Sequence, residues 1–213
     1  MIFLKGTFVD AIEECMNGLE PFISDQDVEV LVSEILLVGI MGSALITVPY
    51  SCLATLIRDK ENKIDYDISA TPIKRWQIIV SYFTSAVISS FVVTGAIMTV
   101  GLIALSRMGD INMSAIEIFS TYGIVLLGSI SSTALFLILA MFFKSYSASS
   151  AFFGILSAAS GFVIGAYIPL SSFSDKVKTI CNLFPATHIT VLLRNKLMQG
   201  ALDNIDKSIG GLD

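Results

Sequence analysis

Four stretches of this chain contain no charged residue and are each longer than a bilayer is thick. They run over Ile35–Ile57 (23 residues), Trp76–Ser106 (31), Ile118–Phe143 (26) and Tyr146–Phe173 (28). About 20 apolar residues of helix cross a hydrocarbon core of ~30 Å. A helix buried in a water-soluble protein keeps a polar face, and these runs have none. The expected fold class is an all-α integral membrane protein with about four complete transmembrane helices. Composition agrees, since 54% of the residues are hydrophobic and 15% charged. Soluble domains carry about 25% charged residues.

Between the first two runs lies RDKENKIDYDISATPIKRW (58–76), with nine charges in nineteen positions. Lysine and arginine in short loops mark the cytoplasmic side. Arg58, Lys60, Lys63, Lys74 and Arg75 therefore put 58–75 in the cytoplasm, and Lys144 marks the same side two spans later. The loop 107–117 sets one cation, Arg107, against Asp110 and Glu117, and is expected outside, together with 1–34 and 174–213. Eight of the 18 acidic residues fall in the first 34 positions, beside the single cation Lys5. No basic face of the kind that binds nucleic acid is present.

The charged stretch has internal order. Ile64 and Ile68 stand four apart with Asp65 and Asp67 between them, the spacing of a short amphipathic helix. Thr71-Pro72 reads as a helix start, threonine as N-cap and proline at the first helical position. Trp76 then enters the membrane as an interfacial anchor. The pattern is a helix end, a short amphipathic helix and a new helix start, a shape suited to being gripped by a soluble partner.

In this order of elements the chain resembles the type-2 (ABC-2 type) permeases of ABC transporters, the membrane subunits of exporters for drugs, lipids and polysaccharides. Asp59, Lys60 and Glu61 are similar to the charged run of that family's cytoplasmic coupling helix, and Pro72 to the proline opening the next span. GFVIGAYIPLSSF (161–173) resembles the family's fifth span with its Gly-x-Tyr-Ile-Pro ending. LFPATHITVLLR (183–194) resembles its proline–threonine–histidine segment in short helices that dip back from the outer face.

The resemblance implies a division of labour. ATPase coupling would fall to Asp59, Lys60, Glu61, Ile64, Ile68 and Pro72. The outer re-entrant or gate region would hold Gly165, Tyr167, Pro169, Pro185, His188 and Arg194. It further implies an ABC ATPase subunit as partner, carrying ATP and Mg, and a second permease subunit in a homo- or heterodimer. The cell membrane, with its lipids, is the implied location. Family members usually have six spans, so the chain is expected to correspond to spans two to five. Residues 1–34 would then be an outer segment after a truncated first span ending in MIFLKGTFV, 35–173 the transmembrane domain, and 174–213 re-entrant helices and a tail. A non-transporting scaffold of the same fold is the alternative.

Other features exclude chemistry more than they suggest it. No GxxxxGK[ST] occurs, so the chain lacks the loop that cradles nucleotide phosphates. Cys15, Cys52 and Cys181 show no CxxC spacing, and no metal site is expected. His188 is the single histidine and has no fixed carboxylate partner in sequence, a poor basis for an intramembrane enzyme. Glu34, at the head of the first span, is expected to snorkel to the outer interface, leaving no ionisable group inside a span. Small residues predict close helix contacts at Gly39, Ser43 and Thr47 and at Ser157, Gly161 and Gly165, and Pro49 removes a hydrogen bond from the first span.

Overall fold

The computed structural model describes residues 25–64, 73–107, 115–164, 175–182 and 184–209, and these are helical apart from short connections. The helices are α1 (Asp25–Glu61), α2 (Arg75–Ser106), α3 (Ala115–Phe142), α4 (Tyr146–Val163), α5 (Asp175–Asn182) and α6 (Pro185–Ile209). Four of them are long and apolar enough to cross a membrane: Val32–Glu61 of α1, then α2, Ile116–Phe142 of α3 and α4. The protein is an all-α, multi-pass membrane protein.

The helix α1 is the hub. It packs against α2, α3, α4 and α6, whereas α5 touches only α6 among the larger helix contacts. Of its apolar span 56% is buried inside the protein, against 22% for α4. Val32, Val38, Met41, Leu45, Ile46 and Leu53 of α1 are wholly buried. At 1.5 Å per residue its 37 residues extend over about 55 Å, more than a bilayer core needs.

Polarity is turned inside out relative to a soluble bundle. Phe119, Phe142 and Ile155 are 73–82% exposed, as side chains meeting lipid tails would be. Ser90, Thr94, Thr121, Ser129, Ser132, Thr133, Ser149 and Ser160 are buried between helices. In lipid, apolar burial drives no association, so small and hydroxylated residues line the contacts that hold helices together.

Residue contacts fix the register. Tyr82 of α2 meets Asp59 near the end of α1, and Gly101 of α2 meets Leu37 near its beginning, so α1 and α2 run antiparallel. Leu45 meets Gly128, and Tyr50 packs edge-on against Phe136, so α1 and α3 run parallel. The ends of α1 and α3 and the starts of α2 and α4 thus gather at one end of the bundle.

Several boundaries differ from expectation. The helix α4 ends at Val163, where the Ile164 N–H bonds back to Ser160 and the Val163 carbonyl accepts from Thr187 of α6, and residues 165–173 of the expected fourth span lie outside the described residues. Thr71-Pro72 does not open α2, which begins at Arg75 with Lys74 as N-cap. The Gln77 side chain accepts the Lys74 N–H at 3.0 Å, giving the first turn its reach-back bond without a threonine. Glu34 does not snorkel. It lies on the α1 row of Val38, Met41 and Leu45, is only 4% exposed, and its Oε2 has no hydrogen-bond partner among the described residues.

Of the small residues predicted to make close contacts, Gly39 and Gly161 are buried and Gly165 lies outside the described residues. Ser43 and Thr47 bond back to the carbonyls of Gly39 and Ser43 along their own helix. Close approaches that no stripe foretold occur at Gly42, Gly101 and Gly128. A Cβ on Gly42 would lie 2.5 Å from Thr190 Oγ1, and one on Gly128 2.9 Å from Ile189 Cγ2. Both contacts seat α6 on α1 and α3.

Candidate functional site: the junction at the end of α1

The last turn of α1 carries the predicted coupling residues, and three consecutive side chains there reach three different helices. Tyr82 Oη of α2 donates to the Asp59 carboxylate. Lys60 Nζ lies 3.5 Å from the Met141 carbonyl oxygen at the end of α3. Glu61 Oε2 accepts the Tyr146 backbone N–H at 2.9 Å, and its Oε1 accepts Ser145 Oγ at 3.1 Å. One residue earlier, the Arg58 guanidinium sits over the Tyr146 ring, 4.6 Å from its centroid.

The chemistry of each tie suits its place. Successive residues on a helix point about 100° apart, so a run of three fans out to three neighbours. A cation at the end of α3 meets unpaired carbonyls, and an anion at the start of α4 meets unpaired N–H groups, the arrangement that helix dipoles favour. Ser145 is the N-cap of α4 but makes no side-chain cap bond to its own helix. Glu61 of α1 serves as the cap from outside. Asp59 is half-buried, while Lys60 and Glu61 are exposed, so both remain on the surface at this end.

Behind the junction is an aromatic plug. Tyr50 stacks on Phe153 at 3.5 Å between centroids, and Phe136 meets both rings edge-on. The Tyr50 hydroxyl and Ser149 Oγ share a buried hydrogen bond of 2.5 Å. Together the ties and the plug hold α1 to α4 over their first turns from this end.

Beyond Glu61 the chain turns sharply. Asn62 N–H bonds to the Arg58 carbonyl at 2.9 Å, and Lys63 takes a left-handed φ of 60°. That conformation ends a helix cleanly and disfavours most side chains. Ile64 follows, 39% exposed. Ile68 and Pro72 lie outside the described residues, as do Gly165, Tyr167 and Pro169.

The other predicted residues gather elsewhere. Pro185 is the first residue of α6, the position where its missing N–H costs nothing. His188 is exposed, and its Nε2 donates to the Asn182 carbonyl at 2.9 Å, tying α6 to α5. Thr187 Oγ1 bonds to the Cys181 and Val163 carbonyls at 2.8 and 3.2 Å. Arg194 is half-buried, and Gly161 is buried near the end of α4. With 18 residues in α4, this second cluster lies about 27 Å along the bundle from the junction. Cys52 and Cys181 are free thiols.

A family model described as "ABC-2 family transporter protein" matches residues 21–212. The chain belongs to the ABC-2 transporter family. Membership points to the membrane permease of an ABC transporter, in a family of transport subunits, and implies association with an ABC ATPase. Neither curated proteins nor solved structures yielded a match. Sequence reasoning located Asp59, Lys60 and Glu61 but missed their partners. Nothing local marks Tyr82 or Ser145, because the register of four helices is what brings them together.

Proposed function

We infer that this ABC-2 permease is the membrane subunit of an ATP-driven exporter whose ATPase docks on the charged stretch 58–75. The single observation carrying this reading is the junction, where Asp59, Lys60 and Glu61 bond α2, α3 and α4 directly beside that stretch. A partner pulling on 58–75 pulls on all four spans together, so a stroke at the surface passes into the bundle without loss in slack side chains. Asp59 and Glu61 here transmit force, and Ile64 and Ile68 supply the apolar grip.

In this reading 58–75 and Lys144 face the cytoplasm, while 107–117 and 174–213 lie outside the plasma membrane. ATP and Mg belong to the partner ATPase. A second permease subunit completes the translocation path. The cargo class is drug-like, lipid or glycan, consistent with spans rich in Ser, Thr and Phe at Ser81–Phe91 and Gly128–Phe136.

Co-purification with the cognate ATPase tests the assignment. Replacing Ile64 and Ile68 together by Asp should detach the ATPase while leaving membrane insertion intact. Tyr82→Phe, which removes the Asp59 tie, should leave the ATPase attached but lower transport per ATP hydrolysed. Unchanged co-purification of the double aspartate variant overturns the docking surface.

A further inference from the structure

Of the eight hydroxyl side chains buried in the described spans, Thr121, Ser129 and Ser160 bond to a carbonyl three or four residues back and Ser149 bonds to Tyr50. The other four do not. Ser90 and Thr94 of α2 and Ser132 and Thr133 of α3 are at most 1% exposed, and none of their hydroxyls has a hydrogen-bond partner among the described residues. Hydroxyls buried in lipid-depth protein without partners are rare and costly, and their presence points to something they bind.

The register places the four at one level. Pro49 is midway along α1 between Asp59, which meets Tyr82, and Leu37, which meets Gly101, so it stands level with Ser90. Between the Leu45–Gly128 and Lys60–Met141 contacts, Pro49 stands level with Ser132 and Thr133. Pro49 has no N–H, so the Leu45 carbonyl four residues earlier loses its helical donor. Thr94 falls level with that carbonyl. Ser90 and Thr94 belong to the buried row Ala86, Ser90, Thr94, Met98, on the helix that packs against both α1 and α3.

We propose that these groups form a buried hydration site, in which water bridges the Leu45 carbonyl and the hydroxyls of Ser90, Thr94, Ser132 and Thr133. Water is the ligand the chemistry selects. It donates to the carbonyl and also donates to or accepts from each hydroxyl, and no charged side chain is needed. Bound there, it lets α1 flex at Pro49 without breaking a backbone bond, in the one helix that touches all the other spans.

The test uses the whole chain in its ATPase complex, in membranes. With Cys15, Cys52 and Cys181 replaced by alanine, Ser90→Cys and Ser132→Cys each give a thiol at the site. Aminoethyl methanethiosulfonate reacts with thiolate, which forms only where water is present. Both cysteines should react at least tenfold faster than Ile155→Cys, on the outward apolar side of α4. Rates no faster than at Ile155→Cys overturn the proposal. Should either variant fail to insert, hydroxyl-radical footprinting of the unaltered complex reads the same site. Oxidation of Leu45 and Pro49 well above that of the outward-facing Phe119 and Ile155 supports it, and equal oxidation overturns it.

Discussion

Glu61 of α1 caps α4 by accepting the Tyr146 backbone N–H at 2.9 Å, across 85 residues of sequence. A cap normally belongs to the helix it closes. Here it belongs to the neighbour, so the start of α4 is stable only while α1 stands beside it.

Glu61→Ala should therefore lower stability by about 1 kcal/mol, the usual cost of a lost cap. Glu61→Gln, which keeps an acceptor oxygen, should recover most of it. Thermal unfolding of the purified protein in detergent reads both. Equal losses from Ala and Gln would show that charge, not the capping bond, is what matters.

Tyr50→Phe keeps the stack on Phe153 and removes only the hydroxyl bonded to Ser149. The expected loss is about 1–3 kcal/mol, because Ser149 is left buried without a partner. Adding Ser149→Ala should relieve part of that loss. A double-mutant cycle showing strict additivity would remove the bond from the account.

Gly128 and Gly123 lie in one helix and should respond oppositely. A Cβ on Gly128 meets Ile189 at 2.9 Å and Leu45 at 3.1 Å, while one on Gly123 meets nothing within 4 Å. Gly128→Val should lower the unfolding temperature through overpacking of about 1–3 kcal/mol. Gly123→Ala should leave it unchanged or raise it.

The assignment of sides is tested with single cysteines in a chain freed of Cys15, Cys52 and Cys181. Asn62→Cys should be shielded from impermeant thiol reagents applied outside intact cells, and Asn112→Cys should be labelled. The reverse pattern inverts the orientation.

What was legible from sequence was whatever a linear count can detect. Uncharged runs located the spans, and the charge block located the end of α1 where Asp59, Lys60 and Glu61 meet three other helices. What a count cannot detect is which residues oppose each other once helices pack. Glu34 looked interfacial because it opens an apolar run, yet the α1 row it shares with Val38 and Met41 carries it inward. No count along the chain pairs Val163 with Thr187 of α6, which takes up the last carbonyl of α4 from 24 residues away. Gly42 and Gly128 belonged to no stripe, since the partner they admit, α6, is distant in sequence.

The central place of α1 also bears on how the protein is made. Synthesis runs from the N-terminus, so α1 reaches the membrane before every helix it packs against. Until α6 arrives, Gly42 and Gly128 have only part of their surroundings. A span that enters the membrane ahead of its partners is thus completed only after them, and the insertion machinery must hold a half-dressed helix while those partners are translated.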